Sequence, residues 1–322
     1  MRLITIECLL ILNDYKKSTI EDLKKNIAPL LGAIKDENEN LLVEVEYRNS
    51  KFDLVYGEIK ARLLSAKCGN VFFNLDQCGY SKVNTNVIRD IMSSWRSAEI
   101  ILTFSIETIL AFISPDNNKN SVPLEPKMQE QITAILEKGL INKPEWLGNV
   151  EQIVFDYLRK NAQYVSPFAI NNPDGWQYWL IHFANSYRAR QVYNNILHDN
   201  ENTQAHCGRS GLRMLSFNPQ YEKQLYLFDA KSRDNAKPEL YDDIPRKIAE
   251  AGDVLGVEEF YRTAFNETPA HSDDIHEMII ENPDVEVITD NGGERRKPNT
   301  IKASDTLKLK NQKSMFFMFP KK

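Results

Sequence analysis

Apolar residues along the first hundred positions fall into two rhythms that take turns. Leu3 to Leu12 is a nearly continuous apolar run and reads as a strand. From Ser18 to Leu31, Ile20, Leu23, Ile27 and Leu30 recur at helical spacing, with Ser18 or Thr19 placed to cap the helix and Glu21 in its first turn. Leu41 to Tyr47 alternates as a strand. Asp53 to Ala66 is a second helix with Leu54, Ile59, Leu63 and Leu64 inward. Val71 to Leu75 is continuously apolar, as a strand buried on both faces would be. Asn84 to Arg96 predicts a third helix and Glu99 to Phe104 a further strand. This alternation predicts an α/β fold with a parallel sheet and crossover helices.

The rhythm then changes. An insert of about residues 114–160 holds a polar loop and helices, ending in a helix from Val150 to Lys160. Tyr164 to Ile170 and Trp176 to Phe183 flank Asn172-Pro173-Asp174-Gly175, which predicts an antiparallel hairpin. Tyr187 to Leu197 is helical. Residues 230–239 read as a linker. Beyond it, Ile244 to Glu250, Val257 to Asn266 and Asp273 to Ile280, the last capped by His271 or Ser272, precede a strand at Val285 and an Asp-Asn-Gly-Gly turn. Three helices followed by a small hairpin predict a winged-helix-like domain over 240–322, after an α/β domain over 1–229.

Charge sharpens this division. Residues 240–294 carry 3 Lys/Arg against 15 Asp/Glu, whereas 295–322 carry 9 against 1. The third helix of the terminal module is acidic, which suits base reading poorly. Arg295, Arg296 and Lys297 are the candidate nucleic-acid-binding residues, through phosphate contact. The apolar tail Met315 to Pro320 is expected to dock on this chain or on a partner. No apolar run reaches the ~18 residues of a membrane helix, and no leader-peptide pattern is present. The four cysteines form no CxxC, so no metal site is expected, and unpaired thiols suit a reducing cytoplasm.

Candidate chemistry centres on Asn74-Leu75-Asp76-Gln77-Cys78-Gly79-Tyr80-Ser81, where an apolar strand ends in an acid and a glycine turn. At this stretch, through Ile100 to Phe104 and His206 to Leu215, the chain resembles the three-Cys-motif partner family, TcmP. That family has an Asp-Pro-Phe-Gly-type turn, for which this chain has Asp76, Gln77, Cys78 and Gly79. The resemblance implies a Rossmann-like, S-adenosylmethionine-dependent methyltransferase-type sheet, whose last strand is inserted antiparallel as the hairpin would be. It implies action on nucleic acid or a protein, and a separate partner bearing a three-cysteine motif. In that setting Asp76 would accept from a target amine and Tyr80 would stack on it; Glu7 would bind the cofactor ribose and Asp53 would lie near the adenine. The competing readings are an Asp76 side chain that caps its own turn, a Glu7 without a ligand, and an Asp53 that is a helix N-cap. His206, Arg209 and Arg213 form a polar loop that would contact phosphate or simply be solvated.

One departure stands out. The family opens with a strand and an Asp-Gly-Phe-Ala-Gly-Pro-Gly-like turn; here the first glycine is Gly32. If Leu3 to Leu12 is the second strand of the sheet, the first strand and its glycine loop are absent, leaving a gap before the strand at Val71. The neighbours would close up, another chain would supply the strand, or the form is truncated and inactive. S-adenosylmethionine binding is then expected only if that strand and loop are supplied. The alternative function is a non-catalytic interaction protein built on a degenerate methyltransferase-like scaffold.

Overall fold

The computed structural model describes residues 5–77, 83–106, 108, 130–134, 143–171, 177–200, 206–207, 211–212, 225–226 and 228–310. It is mixed α/β, and the chain divides into two compact units. The first comprises Met1–Val71 and Ser81–Arg96; the second comprises Phe72–Tyr80 and Ser97–Lys322. The boundary therefore does not fall at the expected linker. No described helix is long and apolar enough to cross a membrane.

In the first unit, strands β1 (Ile6–Asn13) and β2 (Leu41–Arg48) pair in parallel around helix α1 (Lys17–Glu37). The expected Ser18 or Thr19 cap is not used: the N-cap is Lys16, with no side-chain bond. Helix α2 (Phe52–Ser65) buries Val55, Tyr56, Ile59 and Leu63, and α3 (Thr85–Ser94) buries Ile88, Ile91 and Met92. The two helices are tied where Asp90 accepts from Tyr56 Oη (2.5 Å) and Lys60 Nζ (2.7 Å). The Lys60 and Tyr56 bonds hold the Asp90 carboxyl below its usual range. Although β1 is almost wholly apolar, none of its residues is buried.

In the second unit, β3 (Asn70–Asp76, which enters this unit at Phe72), β4 (Ser97–Phe104), β5 (Tyr164–Asn171) and β6 (Gln177–Ala184) form one sheet in the order β3-β4-β6-β5. Strand β6 runs antiparallel to both β4 and β5, as the hairpin reading requires. Strand β3 differs from expectation. Val71, Phe73 and Leu75 are buried, but Phe72 between them is 63% exposed, so only one face is covered. The described strands thus form separate sheets, β1-β2 and β3-β4-β6-β5, rather than the single sheet expected from the alternation.

Helix α4 (Lys143–Arg159) precedes β5 and α5 (Tyr187–Asp199) follows β6. A short ladder joins β7 (His206–Cys207) and β8 (Leu225–Tyr226). The residues read as a linker belong to one helix, α6 (Ala230–Glu250), capped by Asp229, whose Oδ1 accepts from the Ser232 amide at 2.7 Å. Pro238 and Pro245 lie inside it. What holds it is a stripe at fourfold spacing: Ala236, Leu240, Ile244 and Ile248 are all fully buried. That burial outweighs the bonds the prolines remove. Strand β9 (Val254–Gly256), α7 (Val257–Ala264), α8 (Ser272–Glu281), β10 (Val285–Ile288), a 3-10 turn (Pro298–Thr300) and β11 (Thr306–Leu309) complete the unit, with strands in the order β10-β11-β9. His271 caps α8 as expected, Nδ1 accepting from the Asp273 amide at 3.1 Å. One apolar core runs from Phe168 of β5 and Leu197 of α5 to Val285, Val287 and Leu307. The terminal helices therefore share their core with the hairpin.

Candidate functional site

The β4-β6-β5 ladder fixes one edge of the second unit. Phe104 at the end of β4 stands opposite Trp179, and Asn171 at the end of β5 stands opposite Gln177. The Phe104 and Trp179 rings stack at 6.4 Å, and Trp179 is buried. Trp179 of the hairpin is thus a packing residue. Ser105, buried just past β4, hydrogen-bonds through its hydroxyl to that of Thr108 at 2.6 Å.

Asp76 ends β3, the neighbour of β4, with its side chain exposed. Its carboxylate has no hydrogen-bond partner among the described residues, which do not include 78–82 of the turn that follows. Gln77 beside it is buried. Alternation along the strand explains the pair: with Val71, Phe73 and Leu75 inward, Asp76 must face out. Tyr80 and Cys78 lie outside the described residues, as do Arg209, Arg213 and the tail Met315 to Pro320.

Glu7 is the second residue of β1, paired with Leu42, and is exposed. It therefore sits at the amino end of the strand. A ligand at the carboxyl ends of parallel strands would be out of its reach. Residues at the carboxyl end are Asn13 and Asp14. Asn13 exchanges bonds with Ser50 (Nδ2 to the carbonyl at 3.1 Å, and the Ser50 amide to Oδ1 at 3.3 Å), and Asp14 accepts from the Lys16 amide at 2.6 Å. Asp53 is exposed in the first turn of α2, where its charge complements the helix dipole. It is not the N-cap; Lys51 is.

The proposed phosphate grip is partly engaged. Arg295 donates to Asp305 from Nε (2.9 Å) and Nη2 (3.1 Å). Arg296 is 83% exposed with Glu294 at 3.5 Å, and Lys297 is exposed. Two of the three candidates are thus open to solvent.

A polar stripe on α5 was missed in the sequence. Arg190, Asn194 and His198, each four residues on from the last, face the loop before α8. Arg190 Nη2 donates to the Thr268 carbonyl (3.3 Å), Asn194 Nδ2 to those of Thr268 (3.0 Å) and Ala270 (3.3 Å), and His198 Nε2 to that of Pro269 (3.1 Å). Asn195 adds bonds to the Ser272 hydroxyl and amide. Burial draws the His198 pKa down to about 4, against the Pro269 bond that favours its charge. The fourfold spacing of Arg, Asn and His was the available signal. Nearby, His182 is buried with Nε2 3.0 Å from Glu99; burial lowers its pKa, with the Glu99 bond working the other way.

The start of α8 is thereby held against α5. His271, Ser272 and Asp274 at its start are buried, and Arg233 forks onto Asp274 with two bonds of 2.8 Å. Lys237 pairs with Glu277 at 2.8 Å. No group of metal-ligating side chains occurs among the described residues. No family model, curated protein or solved structure matches the chain.

Proposed function

We propose that this chain is a methyltransferase-type scaffold of the three-Cys-motif partner kind that by itself works as a partner-binding protein rather than as a methyl-transfer enzyme. The observation that carries the scaffold part is the order β3-β4-β6-β5 with β6 antiparallel. This order is the one expected at the hairpin end of a methyltransferase-type sheet, and the parallel pairing of β1 with β2 suits the same reading. Against catalysis by the chain alone, the described turns after β1 and β2 hold no glycine. Asn13-Asp14-Tyr15-Lys16 and Asn49-Ser50-Lys51 are instead bonded to each other, Asn49 Nδ2 donating to the Asp14 carbonyl and the Ser50 amide to Asn13 Oδ1, and neither has the glycine that lets a backbone approach a cofactor closely. Glu7 lies at the wrong end of its strand for the ribose.

The order helix, strand, helix, helix, hairpin over 230–309 supports the winged-helix reading of the terminal module. Its third helix starts buried against α5 and shows mainly acids outward, which favours protein contact over base reading. A three-cysteine-motif protein is the partner this reading favours.

Calorimetry of the purified chain with S-adenosylmethionine tests the first claim. No binding is expected, whereas tight binding overturns the non-catalytic reading in favour of methyl transfer with Asp76 as the amine acceptor. Fluorescence anisotropy with labelled duplex DNA tests the second: only weak, salt-sensitive binding through Arg296 and Lys297 is expected, and a sequence-dependent affinity overturns it.

A further inference from the structure

Among the described residues, strand β1 has a neighbour on one side only. Its even-numbered residues face β2. The Ile6 amide donates to the Asn40 carbonyl at 2.8 Å and the Asp14 amide to that of Arg48 at 3.4 Å, and the register between them is unbroken. Residues of a strand turn their backbone groups to alternate edges, so the amides and carbonyls of Glu7, Leu9, Ile11 and Asn13 point away from β2. No described strand pairs with them there. The side chains are equally uncovered: no residue of β1 is buried, and Ile6 and Leu10 are 58% and 37% exposed.

The two strands of this sheet differ in how they are guarded. Strand β2 carries Glu44, Glu46 and Arg48, and Arg62 of α2 is bonded to both acids. Charged side chains of this kind keep an edge strand from pairing with a foreign one. Strand β1 has Glu7 as its one charge in eight residues, with no lysine and no proline. An apolar edge of this length without such protection is a template for another strand. The sequence says which strand. Glu7-Cys8-Leu9-Leu10-Ile11-Leu12-Asn13 is symmetric in character about Leu10, an apolar run with one polar residue at each end. Turned end for end it matches itself, apolar to apolar and polar to polar.

We infer that β1 pairs antiparallel with β1 of a second copy of this chain, about a two-fold axis that passes between the two Leu10 residues. Glu7 then stands opposite Asn13 of the second copy and Leu9 opposite its Ile11, each pair exchanging both backbone bonds. Cys8 faces Leu12 and Leu10 faces Leu10 at the positions between, where side chains approach more closely. This register sends the two Glu7 carboxylates to opposite ends of the ladder. A pairing that set Cys8 opposite Cys8 would instead put each Glu7 opposite Leu9. The two parallel pairs become one sheet in the order β2-β1-β1-β2, with the unguarded edges inside and the charged strand β2 at each rim. The interface rests on the edge of β1 alone and holds whether or not the chain transfers methyl groups.

Size-exclusion chromatography of the full chain with light scattering tests this. A dimer is expected, and a chain that is monomeric at every concentration overturns the pairing. Leu10→Lys sets two like charges face to face at the axis and is expected to give a monomer with an unchanged circular dichroism spectrum. Leu54→Lys places the same charge on a residue of α2 that is 75% exposed and is expected to leave the dimer intact. A dimer that survives Leu10→Lys overturns the assignment, as does dissociation by both variants alike. If Leu10→Lys does not fold, oxidation decides. Directly opposite residues of this type lie about 4.5 Å apart at Cα, within the reach of a disulfide. Leu10→Cys combined with Cys8→Ser is therefore expected to form a covalent dimer on oxidation that Cys8→Ser alone does not. Absence of that dimer, or a wild-type covalent dimer that Cys8→Ser abolishes, overturns the register.

Discussion

Arg295 and Asp305 clasp each other across the β10–β11 connection through two bonds of 2.9 and 3.1 Å, and Asp305 is 2% exposed. Asp305 also accepts from the Lys302 amide at 2.8 Å. Burial works to raise its pKa, but the Arg295 fork and the Lys302 amide more than offset this, and the net shift is downward. A depressed carboxylate contributes stability that is present above its unfolded pKa and lost as pH falls through the folded one. Asp305→Asn is expected to cost about 2–4 kcal/mol at neutral pH. That cost should shrink as pH falls below about 4, where the unfolded chain takes up the proton first, and vanish once pH has passed the depressed folded value. Urea unfolding of both proteins across this range reads it.

His198 titrates on a different part of the pH scale. Its folded pKa of about 4 lies below the roughly 6.5 of an unfolded histidine. The unfolded chain therefore binds the proton first on acidification. Stability is complete above pH ~6.5 and is lost as pH falls toward ~4, by on the order of 3 kcal/mol for this group. Nearby Arg233 and His271 oppose its charge and Asp274 favours it. His182 and His276, both also depressed by burial, add to the same trend. His198→Gln keeps an N–H for Pro269 and removes the titration, so its unfolding free energy should change less between pH 7 and 4.5.

Asn194→Ala deletes two bonds to the α8 lead-in loop and leaves the Ala270 carbonyl short of a donor. A loss of about 1–3 kcal/mol is expected. Hydrogen exchange should rise first in residues 268–275, because the loop and the first turn of α8 depend on α5 for their partners. Unchanged exchange there would mean that the apolar core alone holds the module.

Asp76 is exposed and unbonded among the described residues, so Asp76→Asn should move stability by no more than about 0.5 kcal/mol. A larger loss, read by thermal melting, would show Asp76 to be a structural residue rather than a free acceptor.

What could be read from the sequence, and what could not, follows from where each signal resides. The hairpin announced itself because a Pro-Asp-Gly turn between two apolar runs is local chemistry, and the His271 cap is equally local. Helix α6 was hidden because Pro238 and Pro245 argue locally against it, while the burial of Ala236, Leu240, Ile244 and Ile248 that sustains it is tertiary. The position of Glu7 depended on where β1 begins, which periodicity fixes poorly in a continuous apolar run. Phe72 was expected to be buried because its strand is apolar throughout, yet the sheet covers only the face of Val71, Phe73 and Leu75. The α5 stripe was visible as spacing but had no meaning until the loop at 268–270 was seen against it.

The core that joins Phe168 and Leu197 to Leu307 has a consequence for synthesis. The amide of Val165 and the carbonyl of Gln163 are both bonded to the side chain of Asn266, roughly a hundred residues downstream. A ribosome delivers the hairpin long before it delivers these partners. A nascent chain halted before residue 266 would leave the Val165 amide and the Gln163 carbonyl without these partners. Slow translation between the hairpin and Asn266 would therefore prolong the time for which this strand lacks its partners.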